Sequence, residues 1–201
     1  MIGHGGVRTW VMGKRANVSD MPGGPESDPV TDDEIEAMAL VVSEAVAAGA
    51  LGFSTSRLLL HRDNRGILTP GALAAKKEML RICAAVAAGG GGIYEMSTDF
   101  SAYDDMPYHK LDQAKRKAFF ESELGWMQDA MAAHDNLRVS FGIGPGSVPF
   151  FSKWAGEVST YPGQCVVQFQ SRPQSFHMSH ASGKNPFSTV RAHPRGAVKW
   201  P

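Results

Sequence analysis

Apolar positions recur along the chain with two alternating periods. Ile35, Met38, Val42, Ala45 and Val46 fall on one face of a helix. Thr31 and Glu34 supply a T-x-x-E capping box to open it, and Gly49 is the expected stop. An apolar run at 51–54 follows at once and gives way to Ser54, Thr55, Ser56 and Arg57. A buried parallel strand has that form, since it is covered on both faces and can deliver polar groups only at its end. The alternation then repeats. Pro70 suits a helix start, Leu73, Leu80, Cys83, Ala84 and Ala87 share a helical face, the glycines at 89–92 end it, and 93–97 reads as a strand. Phe120, Leu124, Met127 and Met131 give the next helix its apolar stripe, followed by a strand at 137–143. A shorter amphipathic piece surrounds Trp154 and Val158, and 165–170 reads as a further strand. With a strand end just before His4, this order predicts right-handed βαβ units and an all-parallel sheet. Prolines and glycines make 21–29 a loop, and the stretch from Ser188 onward, with no period, is expected to be an irregular tail to the domain at 1–187.

Composition narrows the partners more than the fold. The 201 residues are 43% hydrophobic, enough for one well-buried domain or part of a larger one. Twenty basic residues balance twenty acidic ones and no long Lys/Arg run occurs, so neither a nucleic-acid stripe nor a membrane patch is expected. Small molecules are the expected partners. Cys83 and Cys165 lie far apart and outside any C-x-x-C pattern, which suggests reduced, buried thiols in a cytoplasmic protein. The start of the chain lacks the basic and apolar regions of a signal peptide, and no apolar run approaches the roughly 20 residues of a membrane span.

In parallel α/β folds chemistry collects at the carboxyl ends of the strands. These ends carry His4 between glycines with Arg8 nearby, then Ser54, Thr55, Ser56 and Arg57, then Glu95, Ser97 and Asp99, and finally Gln168, Gln170 and Arg172. Glu95 interrupts an apolar strand and cannot stay charged in a dry core without a partner. Arg57 and Arg172 have the bidentate geometry for a carboxylate, either a ligand's or that of Glu95 or Asp99. Common motifs fail on inspection. Gly142-x-Gly144-x-Gly146 has Ser147 at the third glycine of a dinucleotide loop and Pro149 where a helix should open. The glycines at 89–92 precede a strand and lack the Gly-Lys-Ser/Thr of a P-loop, His177-x-x-His180 has no third ligand nearby, and no Gly-x-Ser-x-Gly occurs.

Longer blocks carry a resemblance. Gly3-His4-Gly5-Gly6-Val7-Arg8-Thr9-Trp10-Val11-Met12-Gly13, Glu34-Ile35-Glu36-Ala37-Met38, and Ala45 through Gly49-Ala50-Leu51-Gly52-Phe53-Ser54-Thr55-Ser56-Arg57 form the first group. Gly92-Ile93-Tyr94-Glu95, Gln168-x-x-x-Arg172-Pro173 and Asn185-Pro186-Phe187 form a later one. Together they resemble the D-aminoacylase-like, or N-acyl-D-amino-acid deacylase-like, branch of the amidohydrolase superfamily over residues 2–187.

This resemblance implies a (β/α) barrel of TIM type that hydrolyses non-peptide C–N bonds, typically the amide of N-acyl-D-amino acids, with zinc at the strand ends. A complete barrel has eight strands and about 250 residues, so the five strands expected here read as a central part. The family's His-x-His is absent from the sequence, and the aspartate of the last strand falls outside it. Two further zinc-ligand histidines should fall near Ser97 and near Gly142 or Ile143, and neither position is histidine. No metal ligand is therefore assigned and no zinc is expected on this chain alone. Glu95 and Asp99 are the candidate catalytic carboxylates, and His4, Arg57 and Arg172 the candidate substrate contacts. The alternative reading is a catalytically inactive, truncated or degenerate barrel piece that serves binding or assembly.

Overall fold

A computed structural model describes residues 1–17, 29–58, 61, 67–97, 113–142 and 164–168. Their elements are β1 (Ile2–Gly3), α1 (His4–Met12), a 3-10 turn (Gly13–Asn17), α2 (Asp32–Ala47), β2 (Gly52–Ser56), α3 (Lys76–Ala88), β3 (Gly92–Ser97), α4 (Gln113–Ala133), β4 (Leu137–Gly142) and β5 (Cys165–Gln168). The five strands form one sheet in chain order, and every neighbouring pair is parallel. The alternation read from the sequence thus gives a parallel α/β architecture.

One face of this sheet is apolar and packs against the helices. Phe53, Tyr94, Met96, Val139 and Phe141 alternate along β2, β3 and β4 and join a single core with Ile35, Met38 and Val42 of α2, Met79, Ile82 and Val86 of α3, and Leu124, Met127 and Met131 of α4. The residues between them point the other way because strand side chains alternate with a period of two. That second set includes Ser54, Ser56, Ile93, Glu95, Ser97, Arg138, Ser140, Val166 and Gln168, and Ile93 and Val166 remain 39% and 52% exposed.

The details refine the expected elements. Thr31 caps α2 as its spacing predicts: its Oγ1 accepts from the Glu34 amide, and the Glu34 carboxylate accepts from the Thr31 amide. Helix α3 starts at Lys76 rather than at Pro70, which lies in a turn, and its buried face is Glu78, Met79, Ile82, Cys83, Ala85 and Val86. Leu73 precedes the helix, Leu80 packs half-buried against the core, and Ala84 and Ala87 flank the buried face, because apolar residues occupy more of this helix than one stripe. A helix directly after β1 was not foreseen, since the three glycines near its start and its few buried apolar positions mask the period. Neither cysteine is in a disulfide, and burial raises both thiols well above their usual range, to about 11 for Cys165. The amphipathic piece near Trp154 and the tail at 188–201 lie outside the described residues. Among the described residues no helix is long and apolar enough to cross a membrane.

Gly52 fixes how β2 meets β3. Its φ of +141° is rarely open to residues with a Cβ, and a Cβ there would stand 2.0 Å from the Ile93 carbonyl oxygen. Gly52→Ala should cost more than about 1 kcal/mol through backbone strain and displacement of β3, read as a lowered midpoint in urea unfolding. A midpoint equal to wild type would show that the two strands do not approach this closely.

Candidate functional site

The strand ends present two separate groups of polar side chains, one on each side of the sheet. On the open face the register aligns Ser54 with Glu95 and Glu95 with Ser140. Gln168 donates to Ser140 Oγ at 2.6 Å, extending the row to β5. One step nearer the carboxyl edge, Ser56 pairs with Ser97 and Gly142 with Gln168. Glu95 is half-buried and has no hydrogen bond or ion pair among the described residues. A carboxylate so placed between two serines is open to a ligand. Beyond the edge, Ser56 Oγ lies 2.7 Å from His61 Nδ1.

The helix side holds a closed network. His4 Nε2 is 2.6 Å from Glu78 Oε1 and His4 Nδ1 is 2.7 Å from Thr55 Oγ1. Arg8 forks onto the same carboxylate, with Nε to Oε1 at 2.9 Å and Nη2 to Oε2 at 3.0 Å. All four residues are buried. One protonation pattern satisfies the whole set. Neutral His4 donates from Nε2 to Glu78 and accepts at Nδ1 from the Thr55 hydroxyl, while Glu78 and Arg8 remain charged. Burial lowers the His4 pKa, outweighing the opposing pull of Glu78. For Glu78, burial acts to raise the pKa, but the hydrogen bond from His4 and the charge of Arg8 outweigh it and the carboxyl titrates below its ordinary range. The position of Glu78 in the first turn of α3 adds the helix dipole's preference for an anion.

A second fork closes the same layer. Arg57 donates from Nε to Glu123 Oε2 at 2.5 Å, from Nη2 to Glu123 Oε1 at 2.8 Å and from Nη1 to the Ala74 carbonyl at 2.8 Å. The carboxylate seen to clamp Arg57 therefore comes from α4 rather than from Glu95. Its side chain follows the parity of Phe53 and Thr55 and so lies on the helix side.

The candidates among the described residues consequently separate. Glu95 stands on the open face. His4 and Arg57 are buried behind the sheet, where they tie α1 and β2 to α3 and α4 and can act on a ligand only by positioning other groups. Asp99 and Arg172 lie outside the described residues. Sequence reasoning missed Glu78 and Glu123, because Lys76-Lys77-Glu78 and Glu121-Ser122-Glu123 look like solvated helix turns. His61 carries no motif that would single it out in the sequence. No group of three or more His, Cys, Asp or Glu among the described residues is placed to hold a metal ion. A groove of about 420 Å³ between the outer faces of α2 and α3 lies behind the helix layer and away from the strand ends. Searches against protein-family models, curated proteins and solved structures each found no match.

The buried network predicts an acid-labile fold. His4 binds a proton less readily when folded than its unfolded pKa of about 6.5, so the unfolded chain takes up more protons below that pH and stability falls. Glu78 adds to the loss in the same direction as pH falls through the carboxylate range. Urea midpoints should therefore be steady above about pH 7 and decline from about pH 6.5 downward, and His4→Gln should remove the first part of that decline. Independently, Glu78→Gln should destabilise by about 3–5 kcal/mol by leaving Arg8 charged and uncompensated. A Glu78→Gln protein as stable as wild type would contradict the fork.

Proposed function

We propose that this chain is part of an amidohydrolase-type (β/α) barrel in which the open sheet face forms a wall of the substrate site. The reaction in a complete barrel is hydrolysis of the non-peptide amide of an N-acyl amino acid. The observation that carries this reading is the parity of the sheet: one face is packed by α2, α3 and α4, while the other aligns Ser54, Glu95 and Ser140 in lateral register, with Gln168 one step further along β5 donating to Ser140. A barrel interior needs such a face, enclosed by strands rather than covered by helices.

The donor set present does not fit the zinc of the resembled family. Ser97 and Gly142 occupy the ends of β3 and β4 near the expected histidines, and no metal-holding cluster exists among the described residues. No catalytic step is therefore assigned to a metal on this chain. What its own residues offer is a carboxylate, Glu95, able to accept a proton from an attacking water, with the Ser54 and Ser140 hydroxyls beside it to orient a polar ligand. The same two strand ends favour a second reading, in which the piece is catalytically inactive and serves only as a wall or an assembly element.

Measurements on the chain and on a longer protein test the proposal. The purified chain should contain no stoichiometric zinc by elemental analysis and should not hydrolyse N-acyl-D-amino acids unaided. Within a longer protein carrying the remaining strands, Glu95→Gln should lower kcat roughly a hundredfold or more, with the unfolding midpoint unchanged. Full turnover by that variant would remove Glu95 from the chemistry, and a longer protein with no amidase activity would favour the inactive reading.

A further inference from the structure

We infer that Ser56 and His61 form a nucleophile–base pair at the carboxyl edge of β2, able to take an acyl group from small activated esters. This inference does not rest on the amidohydrolase reading and needs no metal.

The geometry is specific to two atoms. Ser56 Oγ and His61 Nδ1 are 2.7 Å apart, within the range from which an imidazole can take a hydroxyl proton. The imidazole is held there by its own backbone. The His61 amide donates to the Leu58 carbonyl at 2.9 Å, and the His61 carbonyl accepts from both the amide and the hydroxyl of Thr69 at 3.0 Å. Ser56 ends a strand pinned on one side, because the next amide, that of Arg57, donates to the Ser97 carbonyl at 2.8 Å. The Leu58 amide also donates to Ser56 Oγ at 3.3 Å, occupying one lone pair and leaving the hydroxyl proton for His61. His61 is exposed and Ser56 half-buried, so a small electrophile can reach both. By contrast the buried pair of Thr55 and His4 is closed to a ligand behind the sheet.

The same contacts set the substrate class. The Arg57 amide is committed to Ser97 and the Leu58 amide to the nucleophile itself, so neither is free to stabilise an oxyanion. Ser56 also has no positive φ, and so lacks the strained backbone of a nucleophile elbow. Attack is therefore confined to carbonyls with good leaving groups, such as aryl esters, and excludes unactivated amides.

In the first step the Ser56 oxygen bonds to the ester carbonyl carbon and its proton passes to His61 Nδ1. The tetrahedral adduct collapses with loss of the aryloxide, which takes up the His61 proton, and leaves acyl-Ser56. A solvent water then attacks the acyl carbon while His61 accepts its proton. Collapse releases the carboxylic acid and returns that proton to the serine oxygen.

The test uses the purified 201-residue chain with a fluorophosphonate probe and, separately, p-nitrophenyl acetate. Intact mass and peptide mapping should show one phosphonyl adduct, on Ser56, and the ester should give a burst of p-nitrophenol. Ser56→Ala should abolish both. His61→Gln should slow labelling roughly a hundredfold or more. Ser56→Cys should keep a burst, which guards against loss by misfolding, and Ser43→Ala on the far side of α2 should label as wild type. Absence of an adduct on Ser56 in the wild type, or labelling indifferent to His61→Gln, would overturn the assignment.

Discussion

A parallel strand can reach its neighbour only by a crossover, and right-handed crossovers between strands laid down in chain order carry their helices to the same side. With the order β1-β2-β3-β4-β5 unbroken, that constraint determines the rest of the molecule. The helices bury one face, and the other is released from the apolar pattern a doubly wound sheet would impose. A dinucleotide-type sheet reverses its strand order at a switch point and covers both faces. Nothing in the described order does so, which is why a carboxylate such as Glu95 can stand mid-sheet without an ion-pair partner among the described residues.

Burying charge behind the sheet is the costly part of this arrangement, and its geometry shows how the cost is offset. Two arginines, each forked onto a glutamate, lie between the strand ends and the helices. Replaced by well-packed apolar residues such pairs are often dispensable, but breaking one strands a buried charge. Here each fork joins elements distant in sequence: Arg8 of α1 to Glu78 of α3, and Arg57 after β2 to Glu123 of α4. The pairs therefore fix which helix sits against which strand, something non-directional apolar contacts specify less sharply.

The alternation, the parallel sheet and the capping box at Thr31 were legible because each follows from a local period or a three-residue spacing. The site was legible only in part. Glu95 stood out as a charge in an apolar strand, and the structure leaves it accessible. His4 and Arg57 were chosen on the same grounds, yet they face the helices, because the partners that hold them are 74 and 66 residues away in sequence. No periodicity announces such a partner. Glu78 belongs to a run of charged residues at a helix start, and in sequence a carboxylate bound for solvent and one bound for a buried arginine look identical. The late start of α3 has a similar origin, for a proline suits the first turn of a helix and a β-turn equally well.

Ser54-Thr55-Ser56-Arg57 reads in sequence as one polar cluster, and parity divides it. Thr55 and Arg57 follow Phe53 to the helix side and become structural, whereas Ser54 and Ser56 reach the open face and remain accessible to ligands. A slip of one residue in the register of β2 would exchange these roles and drive both serines into the core. The register is held where Gly52 passes against Ile93, a contact too close for any side chain, and where the Arg57 amide extends the ladder to Ser97. Chemistry at Ser56 thus depends on a glycine four residues earlier that carries no functional group at all.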